Sequence, residues 1–287
     1  MPKRFAALAL WAAASLCAAP AGWAQIPAAP PVVATDAIRQ LADTLMIGPV
    51  VDILRDEGLE YGKTLEDQMF AGRGGPRWEA QVDHLYDPAR MRSIFDAAFA
   101  DEMAGDPVAV RAGQDFFGSE LGQRILSLET EARRTLMDDA AEDAARLRFQ
   151  EMEAADDPRL RQIRRFAEVN DLVEMNVVGA LNSNLAFYRG MSDAGAFGGM
   201  AEEDMLADVW GQEDSVRSET EDWLFPYLTL AYASLSDDEL NAYIAFSENP
   251  QGKKLNIATF TAFDRVFTEV SRDLGRAAAR QMQGQDL

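Results

Sequence analysis

The sequence predicts an all-α protein, a multi-helix bundle built from two tandem, similar helical halves. Three observations carry that expectation. Helix-start signals recur along the chain, apolar residues between them follow helical spacing with few alternating runs, and a pair of consecutive starts repeats about 130 residues apart.

At the N-terminus Lys3 and Arg4 precede an apolar run from Phe5 to Leu16, then Pro20 and the small residues Gly22 and Ala24. This pattern is that of a secretory signal peptide over residues 1–24, cleaved near Ala24, and the run is shorter than the roughly 20 residues of a membrane span. The expected location is therefore periplasmic or secreted, with no transmembrane span in the mature chain. The single cysteine, Cys17, lies inside this segment. Ala14 and bulky Leu16 depart from a lipoprotein signal, which has Leu three places before its Cys and a small residue directly before it. Cleavage would leave no thiol for a disulfide, for thiol catalysis or for a Cys-ligated metal.

Residues 25–35, rich in Pro and Ala, read as a tether, and 282–287 as a frayed tail. Hydrophobic residues make up 48% of the 287, enough to fill one large domain or two ordinary ones. The net charge is −21, and −23 once Lys3 and Arg4 leave with residues 1–24. Such a balance repels nucleic acid and anionic lipid, and its spread along the chain suits a solvated surface.

Asp87-Pro88, Asp106-Pro107, Asp157-Pro158 and Asn249-Pro250 each pair an N-cap with proline at the first helical position. The cap oxygen satisfies a free backbone N–H, and proline has no N–H to lose there. Ser236 and Glu239 add a capping box. With apolar spacing such as Met91, Phe95 and Phe99, these signals predict helices over 36–56, 58–71, 77–86, 88–104, 107–117, 120–154, 158–190, 202–209, 213–233, 237–247 and 250–280. The first half spans 36–155 and the second 156–281, and the join runs through 140–165, whose composition suits a long exposed helix up to the next start at Asp156-Asp157-Pro158. Glycine-rich stretches at 72–76 and 195–199 read as flexible connections.

At an offset of 130, Asp106 meets Ser236, Phe116 meets Phe246, Ser119 meets Asn249, Gly122 meets Gly252 and Arg124 meets Lys254. Nearer the start of each half an offset of 127 pairs Val50 with Val177, Leu54 with Leu181 and Tyr61 with Tyr188. Two caps, an aromatic and a glycine aligned without a gap indicate internal duplication.

Leu235-Ser236-Asp237-Asp238-Glu239-Leu240, followed by Phe246-Ser247-Glu248-Asn249-Pro250-Gln251-Gly252-Lys253-Lys254-Leu255, resembles the domain-of-unknown-function family numbered 2059, with its pattern near Phe-Tyr-x-Ser-Pro-x-Gly-Gln-Lys. The match is best over 235–267, with a weaker copy at 105–137. Ser247 stands in place of Tyr, Asn249 of Ser and Lys253 of Gln, and Glu120 replaces the proline in the first copy. The resemblance implies short helical units of secreted bacterial proteins and brings no known activity.

Physically the motif reads as a helix corner built from Phe116, Ser119, Gly122 and Arg124, and again from Phe246, Asn249, Gly252 and Lys254. Glycine in the first turn of a helix costs roughly 1 kcal/mol relative to alanine, so close approach of the preceding helix is the first explanation for it. The alternative is an anion held by free N–H groups together with Arg124 or Lys254.

No residue set marks a catalytic, cofactor or metal site. His84 is the only histidine, no serine nucleophile elbow occurs, and acidic runs such as Glu202-Glu203-Asp204 lack the spacing of a calcium loop. Phe187, Tyr188, Met191, Phe197, Met200, Met205 and Trp210 offer either ordinary core or an apolar pocket near 187–210. Three readings follow. A non-catalytic envelope interaction or folding-related protein, with an unknown envelope protein as partner, comes first. A binder of a small apolar molecule is second, and a carboxylate-dependent hydrolase third.

Overall fold

The computed structural model describes residues 35–70, 73–196 and 201–284. The expected signal peptide, nearly all of the tether, parts of both glycine-rich connections and the last three residues lie outside the described residues. The described chain folds into thirteen α-helices, with no strand among them. They are α1 (Thr35–Thr44), α2 (Ile47–Met69), α3 (Gly75–Leu85), α4 (Pro88–Met103), α5 (Pro107–Phe117), α6 (Glu120–Thr135) and α7 (Asp139–Ala154). Then follow α8 (Pro158–Val169), α9 (Leu172–Asp193), α10 (Glu202–Trp210), α11 (Glu213–Ala231), α12 (Asp237–Glu248) and α13 (Pro250–Met282). No described helix is long and apolar enough to cross a membrane.

Each cap read from the sequence is made. Asp87 accepts from Arg90 N at 2.8 Å, Asp106 from Ala109 N at 2.8 Å and Asp157 from Arg159 N at 2.9 Å. Ser236 and Glu239 close the capping box in both directions.

The structure corrects three expected helix boundaries. The chain is continuous helix through Gly58 and instead turns at Met46, whose φ of 56° is left-handed. The expected helix over 158–190 breaks at Asp171, again left-handed with φ 54°. The long helix over 120–154 stops at Thr135, and Asp138 caps a new start by accepting from Ala141 N. The joining segment is therefore two helices, α7 and α8, and α7 packs against α11.

Three described residues other than glycine are left-handed, Met46, Asp156 and Asp171, and all are closed by the same bonds, one N–H reaching four residues back and the next reaching three back; Met46 and Asp171 are the two that break an expected helix. Those two lie 125 residues apart, so the expected 127-residue register of Val50 with Val177 does not follow the hinges.

Packing repeats in kind. α1 packs on α2, α4 and α5, and α8 packs on α9, α11 and α12. Likewise α2 contacts α3 and α4, while α9 contacts α10 and α11. The last helix of each set reaches both sets: α6 packs on α2, α5 and α11, and α13 packs on α9 and α12 as well as on α4 and α5. At 33 residues, α13 is about 50 Å long and supplies both main core clusters, with Leu255 and Phe263 in one and Phe260 in the other. Its crossing with α9 is close enough to require glycine on both sides. A Cβ on Gly190 would stand 1.9 Å from Arg272 O, and one on Gly275 would stand 2.2 Å from Phe187 O.

Candidate functional site

The two predicted corners are built alike. Ser119 accepts from Gly122 N at 3.1 Å and Asn249 accepts from Gly252 N at 2.7 Å, both caps having extended backbone. A Cβ on Gly122 would lie 2.2 Å from Phe116 O, and one on Gly252 would lie 2.0 Å from Phe246 O. The repeated glycine thus admits the last carbonyls of the preceding helix, and close packing explains it.

The cations that an anion site would use are engaged elsewhere. Arg124 pairs with Glu239 and donates to Ser234 O at 2.7 Å, whereas Lys254 pairs with Glu102 at 2.8 Å. The corners also meet: the Phe116 and Phe246 rings stack 4.2 Å apart at 11°.

Beside that stack, where the two main core clusters join, lies a cavity of about 200 Å³. Leu126, Phe166, Leu224, Leu228 and Phe263 form much of its apolar wall, and Phe117, Phe246, Ser247 and Gly252 bring both corners to it. Its only charged lining residues are Glu129 and Arg133, one turn apart on α6. Arg133 is 8% exposed and is held by Glu57 of α2 through two hydrogen bonds of 2.9 Å.

Glu129 has no such counter-ion. Tyr232 donates to its Oε1 at 2.6 Å, Tyr243 bonds to the same carboxylate, and Tyr227 donates to its backbone carbonyl at 3.3 Å. Loss of water raises the Glu129 pKa from 4.5 to about 7, although both tyrosine hydroxyls pull it down. Burial pushes the Tyr227, Tyr232 and Tyr243 phenols up, and the Glu129 charge adds to it, so they remain neutral donors. Trp223 stacks on Tyr227 at 4.8 Å and completes an aromatic wall.

The pocket expected near 187–210 is not this cavity, which none of those residues lines. Phe187 packs against a core cluster, Met191 and Met205 are buried, and Trp210 is 51% exposed on the surface. Phe197 and Met200 lie outside the described residues. His84 is exposed near the end of α3, away from the cavity lining.

Sequence reasoning missed Glu129 and its tyrosines. A signal was available: Ile125, Glu129, Ala132 and Leu136 share one helical stripe, so a carboxylate falls on the apolar face of α6. The tyrosines carried no comparable mark, because their meeting depends on how α11 and α12 pack on α6. Searches against protein-family models, curated proteins and solved structures found no match to the chain.

Proposed function

We propose that this is a non-catalytic binding protein of the bacterial envelope that holds a small, largely apolar molecule in the cavity between its core clusters. The carrying observation is the cavity itself: about 200 Å³, with a mostly apolar surface of leucine and aromatic side chains broken by Glu129, Arg133 and a minority of polar side chains. An apolar cavity of roughly 150 Å³ already accepts a benzene ring. Convergence of an apolar wall on a few placed polar groups is the usual form of a ligand site.

The interaction-protein reading draws less support. Large exposed apolar residues, among those described, are scattered over α5, α7, α10, α11 and α13 and do not define a groove. A hydrolase would need a second free carboxylate beside Glu129, and Glu57 is committed to Arg133. Export rests on the pattern of residues 1–24, and duplication on the repeated corners and packing. The resemblance to family 2059 rests on the 235–267 motif and agrees with both.

Thermal melts with toluene test the binding claim. The parent should gain stability as toluene is added, and Ser247→Leu, which fills the cavity from its buried wall, should not. Equal shifts in both proteins, or none in either, would remove the cavity as the binding site. Export is tested by intact mass of the protein from the envelope fraction, where retention of Met1 would contradict it.

A further inference from the structure

The ligand's chemical class is written in the cavity's charge. Among its lining residues only Glu129 and Arg133 carry formal charge, and Arg133 is already neutralised by the two-bonded Glu57. No Lys or Arg among the described residues pairs with Glu129. What faces it is a set of neutral donors and rings: Tyr227 from α11, Tyr232 just beyond it and Tyr243 from α12. Glu57 of α2 faces Arg133 on the same side.

Such a cavity holds an ionised carboxylate at a cost, which raises its pKa to about 7, until a positive charge from outside the chain balances it. The hydroxyls of Tyr232 and Tyr243 donate to the carboxylate and so favour its charged form, but they cannot neutralise it. Trp223, Tyr227 and Phe166 also line the cavity, and aromatic rings suit both a positive charge and an apolar body. The chain's net charge of −21 favours the approach of cations.

Building on the proposed binding role, we infer that the cavity takes a small organic ammonium ion with an aromatic or alkyl body, with Glu129 as its counter-ion. Binding then displaces the carboxyl proton, because the ammonium needs the ionised form. The ammonium itself stays protonated over the range in which Glu129 titrates.

Calorimetric titration with benzylamine and benzyl alcohol, at pH 6 and pH 8, separates the claims. For the parent, benzylamine should bind about tenfold more tightly at pH 8, since Glu129 is mostly protonated at pH 6 and mostly ionised at pH 8. Benzyl alcohol should bind with little pH dependence. Glu129→Gln should lose tenfold or more of benzylamine affinity together with its pH dependence, and should keep benzyl alcohol. Should the variant lose benzyl alcohol as well, the parent's pH dependence alone decides. Equal affinity for both probes with no pH dependence overturns the ammonium assignment and leaves the apolar cavity standing. Binding of neither probe overturns the binding role and the assignment together.

Discussion

Gly252 is governed by a shortage of space and Glu129 by a shortage of water. At Gly252 a methyl group would stand 2.0 Å from the Phe246 carbonyl oxygen, a backbone atom that cannot turn aside. Gly252→Ala should therefore destabilise by about 1 to 3 kcal/mol despite alanine's better helix propensity, measured by urea denaturation. Gln at Lys254 replaces one partly exposed ion pair with Glu102, so Lys254→Gln should change stability by less than about 1 kcal/mol. At Glu129 the shortage is of water. Its carboxyl titrates at about 7 in the fold against an ordinary 4.5, so the folded state holds a proton that the unfolded chain has released between those values. The resulting stabilisation is fully present below about pH 4.5 and is lost as pH rises through 7, up to about 3 kcal/mol in all. Glu129→Gln should flatten this fall and exceed the parent in stability at pH 8. A variant with the parent's pH profile would mean that Glu129 is solvated.

Corners, hinges and crossings show what a helix-level reading of sequence could see. Caps at Asp87, Asp106, Ser119, Asp157, Ser236 and Asn249 were legible because each is a local bargain between one side chain and one N–H two or three residues on. Turns at Met46 and Asp171 were not, since a left-handed residue other than glycine is held by the packing of the helices on either side. The break at Asp138 was missed although an aspartate cap was present, because it has neither the following proline, nor the capping box, nor the repeat partner that marked the other starts. Aromatic stacking of Phe116 on Phe246 joins the two corners directly, at 4.2 Å. Truncating either ring to alanine should cost about 3 kcal/mol, and the double variant should show a coupling of about 0.5 to 1.5 kcal/mol. Denaturation of the four proteins gives the cycle, and additive losses would mean that the stack contributes only through burial.

Across the whole molecule the reach of α6 and α13 decides where the site lies. α6 carries Glu129 and Arg133 to meet α11, and α13 brings Gly252, Leu255 and Phe263 to the same place. The all-helical class was visible in periodicity, but the cavity was not, because it arises from contacts such as Glu129 with Tyr232 that span more than 100 residues. Of the residues expected to line a pocket at 187–210, the described Phe187, Met191 and Met205 are at least partly buried while Trp210 is exposed, and none of them lines this cavity. The most direct test of a ligand-sized apolar cavity is a crystal structure of the protein under xenon pressure, read by anomalous scattering. A xenon atom is expected among Leu126, Phe166, Leu228 and Tyr243, close to the Glu129 carboxylate. A collapsed site in which Trp223 or Phe246 fills the space, with xenon absent from it, would contradict the account.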